Sequence, residues 1–442
     1  MTDSTNRRGL LIACIVIFAL AAAVRIVVWQ NNIADIDTAL SGLSAGYQSD
    51  GRILLAGDVN RFLFGPDPPS DANVLAHPPG YSIFLATAYA IPGGNDATLL
   101  QLLLASLLPA LVFLIATRLF GRTTGYIAGI VTALSPQVAY NSAMLLPDGL
   151  SILPVVAAVY FLIRLIEDGR IRNAMLCGAM TGLSCWLRPN TLLLPIFFAF
   201  VLLLLIPWRN AMRFAGVMIA AFVVTIAPIT IRNAVGFGSF VPLSLGSGVT
   251  FLEGVADLDT EKRFGLPGTD AEVMNAENAG TLYAPDGIER ERSRIQRALT
   301  VVRSEPMWFA KSAVGRGIGF FRLERVPAIA GSATERRSSD PLFYYPNISL
   351  KLLQKIFITA VFLPLFLAGI FVMLWRKEQR KWLVTLLVVP AYLVCLQSLF
   401  HTEYRYVLAL HVFELILAAV AVSWLLGLVL RAFNGKSLAG AE

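Results

Sequence analysis

Ten mostly apolar stretches, most close to the length that crosses a bilayer, leave this chain few ways to fold. They are Leu10–Val28, Thr98–Ala116, Tyr126–Ala143, Leu150–Ile166, Ala174–Leu187, Thr191–Ile206, Phe214–Ile229, Leu352–Trp375, Trp382–Phe400 and Tyr406–Leu430. A helix rises 1.5 Å per residue, so a hydrocarbon core of about 30 Å takes about 20 such residues. Composition agrees: 56% of residues are hydrophobic and 15% charged, where soluble domains hold about 45–50% and about 25%. The pattern predicts an all-α polytopic membrane protein of about ten transmembrane helices, Ala174–Leu187 being the shortest. One further run, Tyr81–Ile91, follows His77-Pro78-Pro79-Gly80 and stops at Pro92-Gly93-Gly94. It is too short to span and predicts a re-entrant or interfacial helix. Ala21-Ala22-Ala23 resembles a signal-peptide cleavage site. The first run nevertheless continues through Val24–Trp29, so a retained helix is expected, with Arg25 snorkelling to the outer surface.

Lys and Arg concentrate in cytoplasmic loops. With Tyr81–Ile91 not spanning, Arg7 and Arg8, Arg118 and Arg122, Arg164 to Arg172, Arg209 and Arg213, Arg376 to Lys381, and Arg431 with Lys436 all fall on one side. Both termini are then cytoplasmic, in the plasma (inner) membrane. Two long segments face outward. The first, Gln30 to His77, holds Asp35, Asp37, Asp50, Asp58, Asp67 and Asp71 against Arg52 and Arg61. The second, Arg232 to Leu350, contains Ile288, Ile295, Leu299 and Val302 at helical spacing, which predicts an amphipathic helix. Its arginines 290, 292, 294 and 297 read as a solvated face. Three regions follow: a membrane module over 1–230 that includes an outer loop at 30–92, an extracytoplasmic subdomain at 231–350, and membrane helices over 351–442.

Several function classes drop out. The formal charge of +7 lies in short membrane-flanking loops, so nucleic acid is not a partner. Cys14, Cys177, Cys185 and Cys395 lie in apolar runs without a C-x-x-C pair, which argues against a disulfide framework or zinc. His77, His401 and His411 lack the i, i+4 spacing of a helical metal pair, and no phosphate-binding glycine loop occurs.

Polar residues recur where helices meet the outer face: Asn141, Asp148, Arg188, Arg232, Asn233 and the run His401 to Arg405. Ionisable groups at membrane depth are costly and mark candidate sites. Carboxylates serve as general bases or hold divalent metals. Arginines recognise phosphate through paired N–H donors. Acids with arginines at an outer membrane surface suit transfer from a lipid phosphate.

In order along the chain stand Tyr47-Gln48-Ser49-Asp50 with Leu54 to Asp58, His77-Pro78-Pro79-Gly80-Tyr81, Leu146-Pro147-Asp148, Gly182-Leu183 to Arg188-Pro189, Arg232-Asn233, and Glu403-Tyr404-Arg405-Tyr406. With this series the chain resembles the GT-C superfamily of membrane glycosyltransferases. It is similar in particular to family 39, the group of protein mannosyltransferases and lipid A aminoarabinose transferases. The resemblance implies an inverting glycosyltransferase with a polyprenyl-phosphate sugar donor and a lipid, glycan or protein acceptor. An aspartate of the first outer loop would be the general base. Asp50 is favoured, with Asp35 and Asp37 as rivals, because the family's acid often stands a few residues before the tyrosine, at Leu43 or Ser44 here. Arg188, Arg232 and Arg405, with Glu403, His77 and Tyr81, are the expected donor-binding residues. Asp148, matching the family's second acid, and Asp58 are the expected ligands of a divalent metal, Mg²⁺ or Mn²⁺. Two other readings remain: a lipid-linked oligosaccharide polymerase or ligase, and a secondary transporter. Helix interiors nearly free of charge apart from Glu414, and the lack of an internal repeat, weigh against transport.

Overall fold

A computed structural model describes residues 2–66, 71–91, 97–266, 287–323 and 338–439. The side chains of 2–6, 32–43, 73, 432 and 434–439 are outside that description. Among the described residues the chain is helical throughout, without strands. The helices are α1 (Thr2–Leu55), α2 (Val59–Phe64), α3 (Asp71–Val74), α4 (Gly80–Tyr89), α5 (Ala97–Ala105), α6 (Leu107–Phe120), α7 (Arg122–Leu134), α8 (Pro136–Ala143), α9 (Asp148–Asp168), α10 (Ile171–Leu187), α11 (Leu194–Leu205), α12 (Trp208–Phe237) and α13 (Ser247–Leu258). They continue as α14 (Gly287–Ser304), α15 (Pro306–Gly319), α16 (Pro341–Gln354), α17 (Thr359–Trp375), α18 (Arg380–Gln397) and α19 (Leu408–Ala439). Three short 3-10 turns, Pro189–Thr191, Lys377–Gln379 and Tyr404–Val407, join them.

Among the described residues six helical stretches are long and apolar enough to cross a membrane: Arg7–Asn31, Ala97–Phe120, Asp148–Asp168, Trp208–Phe237, Lys377–Gln397 and Tyr404–Arg431. A seventh arises if α16 and α17, bent by 56°, form one span. The protein is therefore a multi-pass membrane protein, with fewer full-length spans than the ten apolar runs. The difference is local. Tyr126–Ala143 is interrupted at Ser135, whose Oγ caps α8 just before Pro136. The Ala174–Leu187 run forms a helix of 17 residues, and Thr191–Ile206 opens with a 3-10 turn before α11. α4 has 10 residues, about half of what spans a bilayer.

α1 does not end with its apolar run. It continues to Leu55 over 54 residues, about 80 Å at 1.5 Å per residue, so the start of the first outer segment is helical. Exposed Leu11, Ile12, Ile15 and Val16 line its membrane portion. Arg25 does not snorkel. It is wholly buried, donating from Nε to Ser142 Oγ (3.3 Å) and from Nη1 to the Ala21 carbonyl (3.1 Å). A charge in hydrocarbon is tolerated where protein supplies acceptors, and α8 and the preceding turn of α1 do so. In the outer segment, α14 packs on α13 through Ala298, Val301 and Leu252. Arg294 is buried there and Arg292 exposed, so the expected solvated arginine face is only partly solvated.

The main core lies between α6, α9, α10, α11, α12, α18 and α19. α9 shows how the bundle is polarised. At one end Glu167 pairs with Arg118 (2.6 Å) and Asp168 with Arg164 (3.3 Å). At the other end, about 30 Å away by helical rise, stands Asp148.

Candidate active site

Asp148 opens α9 just after Pro147 and is 2% exposed. Its neighbour explains the seating: a Cβ at Gly149 would lie 2.6 Å from the Asn141 carbonyl oxygen, so only glycine lets α9 start this close to α8. Arg188 ends α10, where Pro189 forbids the helix to continue. Its Nη2 donates to Asp148 Oδ2 at 2.5 Å, with side-chain exposures of 17% and 1%. Burial disfavours the Arg188 charge, but Asp148 more than offsets this and the guanidinium is held firmly protonated.

The turn Tyr404–Val407 closes the site. Arg405 is buried and donates from Nη2 to Glu403 Oε1 at 2.5 Å, and the Tyr406 hydroxyl donates to the same oxygen at 3.2 Å. The Tyr406 ring is near both cations, 4.8 Å from the Arg188 guanidinium and 5.3 Å from that of Arg405. Its π-face favours both. The turn is fixed from two sides. Asn190 Nδ2 donates to the Tyr406 carbonyl (3.1 Å), and Tyr392 OH to the Asn190 carbonyl (2.7 Å). The Tyr404 ring stacks on His411 at 4.8 Å, and His411 pairs with Glu414 at 3.0 Å, both fully buried. Glu414, the charge inside the last apolar run, is thus a paired group.

The segment between the apolar part of α1 and α5 completes the cluster. Tyr47 is buried, stacked on His77 (4.4 Å) and edge-on to Tyr81 (5.2 Å). Tyr81 OH donates to Gln101 Oε1 (2.6 Å), and Gln101 Nε2 donates to the Ser142 and Met144 carbonyls. Gly80 permits the approach of this segment, since a Cβ there would lie 2.5 Å from the Trp186 carbonyl oxygen, two residues before Arg188. The outer edge of His77 reaches solvent. Crowding of the rest of the ring, followed by Arg188 and Arg405, depresses its pKa to about 4 and keeps it neutral.

The fold thus brings Asp148, Arg188, Arg405, Glu403, His77 and Tyr81 into one region. The remaining candidates are not part of this cluster, although Asp50 stands one turn of α1 beyond Tyr47. Asp50 is exposed on the outer part of α1, and Arg232 is the charged group that acts on it. Although Asp50 is exposed, its carboxylate is partly shielded from water by the surrounding protein, which raises its pKa, and Arg232 opposes that. Arg232 Nε donates to Asn233 Oδ1 at 2.8 Å. Asp58 is exposed and caps α2 by accepting from the Arg61 N–H at 3.1 Å. Asp35 and Asp37 belong to α1, but their side chains lie outside the described residues, as does Asp67 altogether. Among the described residues no three His, Cys, Asp or Glu side chains converge as a metal site. Asp148 is engaged by Arg188, and Asp58 serves as a cap.

Reading the sequence for charge passed over Tyr406, Gln101 and Asn190. The alternation of tyrosine with arginine in Tyr404-Arg405-Tyr406 is the signal that points to Tyr406. Nothing local marks Gln101 or Asn190.

What can the arrangement do? Arg188 and Arg405 each retain a buried Nε–H without a hydrogen-bond partner among the described residues. They present two cations and unsatisfied donors beside a neutral aromatic wall. Below them a narrow gap of about 20 Å³ runs between Asp148, Ile152, Leu194, Val389, Arg405 and Leu408. A wider recess of about 540 Å³ lies along α1 on Ala45, Gln48, Ser49, Arg52, Ile53 and Ala56.

A family model described as dolichyl-phosphate-mannose-protein mannosyltransferase matches residues 76–231. The apo oligosaccharyltransferase of Archaeoglobus fulgidus shares the fold, with TM-score 0.54 and 13% identity over 97% of this chain and 52% of that one. The present chain thus spans about half the length of that enzyme. ArnT from Cupriavidus metallidurans, solved with undecaprenyl phosphate, is similar at TM-score 0.36 and 17% identity over 91% of this chain and 77% of its own. A search of curated proteins returns no match. The likeness to GT-C membrane glycosyltransferases seen in the motifs is borne out, in sequence over 76–231 and in fold over nearly the whole chain.

Proposed function

We propose that this protein is an inverting glycosyltransferase of the inner membrane, moving a sugar from a polyprenyl phosphate to a hydroxyl of a lipid, glycan or protein on the extracytoplasmic side. The observation that carries the reading is the pair Arg188 and Arg405, both near Tyr406 at the end of the bundle away from its paired basic loops. A phosphate there gives the two unpaired Nε–H donors the acceptors they lack, and bidentate guanidinium contacts are the strongest such bonds. The isoprenoid tail has the bilayer itself as solvent. The matching family's description names a dolichyl-phosphate sugar, which is the same donor chemistry.

The roles follow. Asp148, nearly unexposed and bound to Arg188, orients that cation. His77 and Tyr47 form a neutral wall for the sugar, and Tyr81 supports Tyr47. Asp50 takes the acceptor's proton as the new bond to C1 forms and the C1–phosphate oxygen bond breaks. The leaving phosphate keeps its charge against Arg188 and Arg405. Arg232 favours the ionised form of Asp50. Cells lacking the gene test the reading: a polyprenyl-phosphate sugar should accumulate, and a plasmid copy should clear it while Arg405→Gln should not. Unchanged glycolipids in the deletion strain would sink the proposal. Orientation is tested by a cysteine at Thr123, which should resist impermeant reagents added from outside.

A further inference from the structure

The other end of the bundle holds a cleft that plays no part in this chemistry. It lies where α6 passes into α7, where α17 gives way to its 3-10 turn, and where the membrane part of α19 ends. Phe120, Val372, Val420 and Leu428 form an apolar wall, and Thr124, Gln379, Arg376 and Arg431 bring polar groups. Its volume is about 120 Å³, equivalent to about four water molecules at ~30 Å³ each.

Two features single it out. Arg118, Arg164 and Arg170 on this end each face a carboxylate within 4 Å. Arg376 and Arg431 are in no ion pair among the described residues, although they line one concavity from two different helices. The second is space. A Cβ on Gly427, which also lines the cleft, would meet nothing within 4 Å.

We propose that this cleft binds the phosphate headgroup of an anionic membrane phospholipid. Two guanidinium groups at a membrane surface favour a phosphodiester, and the hydroxyls of Thr124 and Ser423 add donors. The apolar wall continues to Leu428 and Trp424, 43% and 37% exposed, where the glycerol and first methylenes would lie. Tryptophan is at home at that depth. This wall, and the position at helix ends, favour a lipid over free phosphate. Such a lipid would join the ends of α6, α17 and α19.

Native mass spectrometry of the whole protein, released from mixed micelles of phosphatidylglycerol or phosphatidylcholine, tests this. The parent should keep one phosphatidylglycerol and exchange phosphatidylcholine freely. Arg376→Gln with Arg431→Gln should cut retention about tenfold or more, because charge-assisted bonds are lost. Gly427→Leu, which leaves both charges in place, should also reduce it by filling the cleft. Arg170→Gln, a paired arginine of the same end, should have no effect. Equal retention by the parent and the double variant would overturn the proposal, as would equal retention of the two lipids or an equal loss in Arg170→Gln. Full displacement by inorganic phosphate would show a free-phosphate site instead.

Discussion

Asp148→Asn is the most informative single change. The amide keeps the carboxylate's shape and removes its charge, stranding Arg188 without its partner. The pair meets at 2.5 Å, with exposures of 1% for Asp148 and 17% for Arg188. Removing one member of a buried ion pair costs about 3–5 kcal/mol, because the other charge stays desolvated. The slight exposure of Arg188 places this case near the lower end, about 3 kcal/mol, or about two powers of ten in the unfolding constant at ~1.4 kcal/mol per tenfold. The double variant Asp148→Asn with Arg188→Gln removes the stranded charge and should regain most of that stability without regaining turnover. Polyprenyl phosphate should stabilise the single variant, since its phosphate supplies the missing negative charge; saturation at about 100 times Kd adds about 2.7 kcal/mol. Denaturant unfolding in detergent micelles, with and without the lipid phosphate, gives these numbers, and turnover is followed separately. A single variant within about 1 kcal/mol of the parent, or a double variant no more stable than the single, would show that the pair does not hold Arg188 in this way.

Four further outcomes are expected. Asp50→Asn should lose about 10²–10⁴-fold in turnover, as removal of a general base does, with donor affinity unchanged; full activity there alongside a dead Asp35→Asn or Asp37→Asn would transfer the role upstream. Asp50 works ionised, so activity is present above its folded-state pKa and falls as pH drops through it. Arg232 lowers that pKa, so Arg232→Gln should move the acidic limb of the pH–rate profile to higher pH, and an unmoved limb would separate the two residues. His77 is depressed from 6.5 to about 4, so it stays neutral and donor binding should not follow its titration near pH 6.5; the stability linked to the neutral ring is complete above about 6.5 and is lost as pH falls towards 4, readable by NMR of a labelled imidazole together with acid unfolding. Gly80→Ala places a methyl against the Trp186 carbonyl and should cost about 1–3 kcal/mol by overpacking, weakening donor binding through the displacement of His77 and Tyr81, as a binding titration would show.

The apolar runs were enough to make this an all-α membrane protein, because a chain so poor in charge has no other solvent for its surface. The brevity of Tyr81–Ile91 and the helix start at Pro79-Gly80 were equally legible, since both are matters of local length and backbone chemistry. The arginines and acids of the outer helix ends could be picked out as well, because a charge near hydrocarbon is conspicuous in one dimension. Partnership was not legible. Asp148 stands 40 residues from Arg188, and Gln101 supports Tyr81 by bonding carbonyls 41 and 43 residues away. Whether Arg232 stands with the phosphate arginines or with Asp50, whether Arg25 reaches the surface or is buried against Ser142, and how far α1 continues beyond its apolar run depend on which helices pack together. Hydropathy records how each residue fares in lipid or water. Packing decides which charges face one another, because Coulomb and hydrogen-bond energies act over ångströms of space and not along the chain.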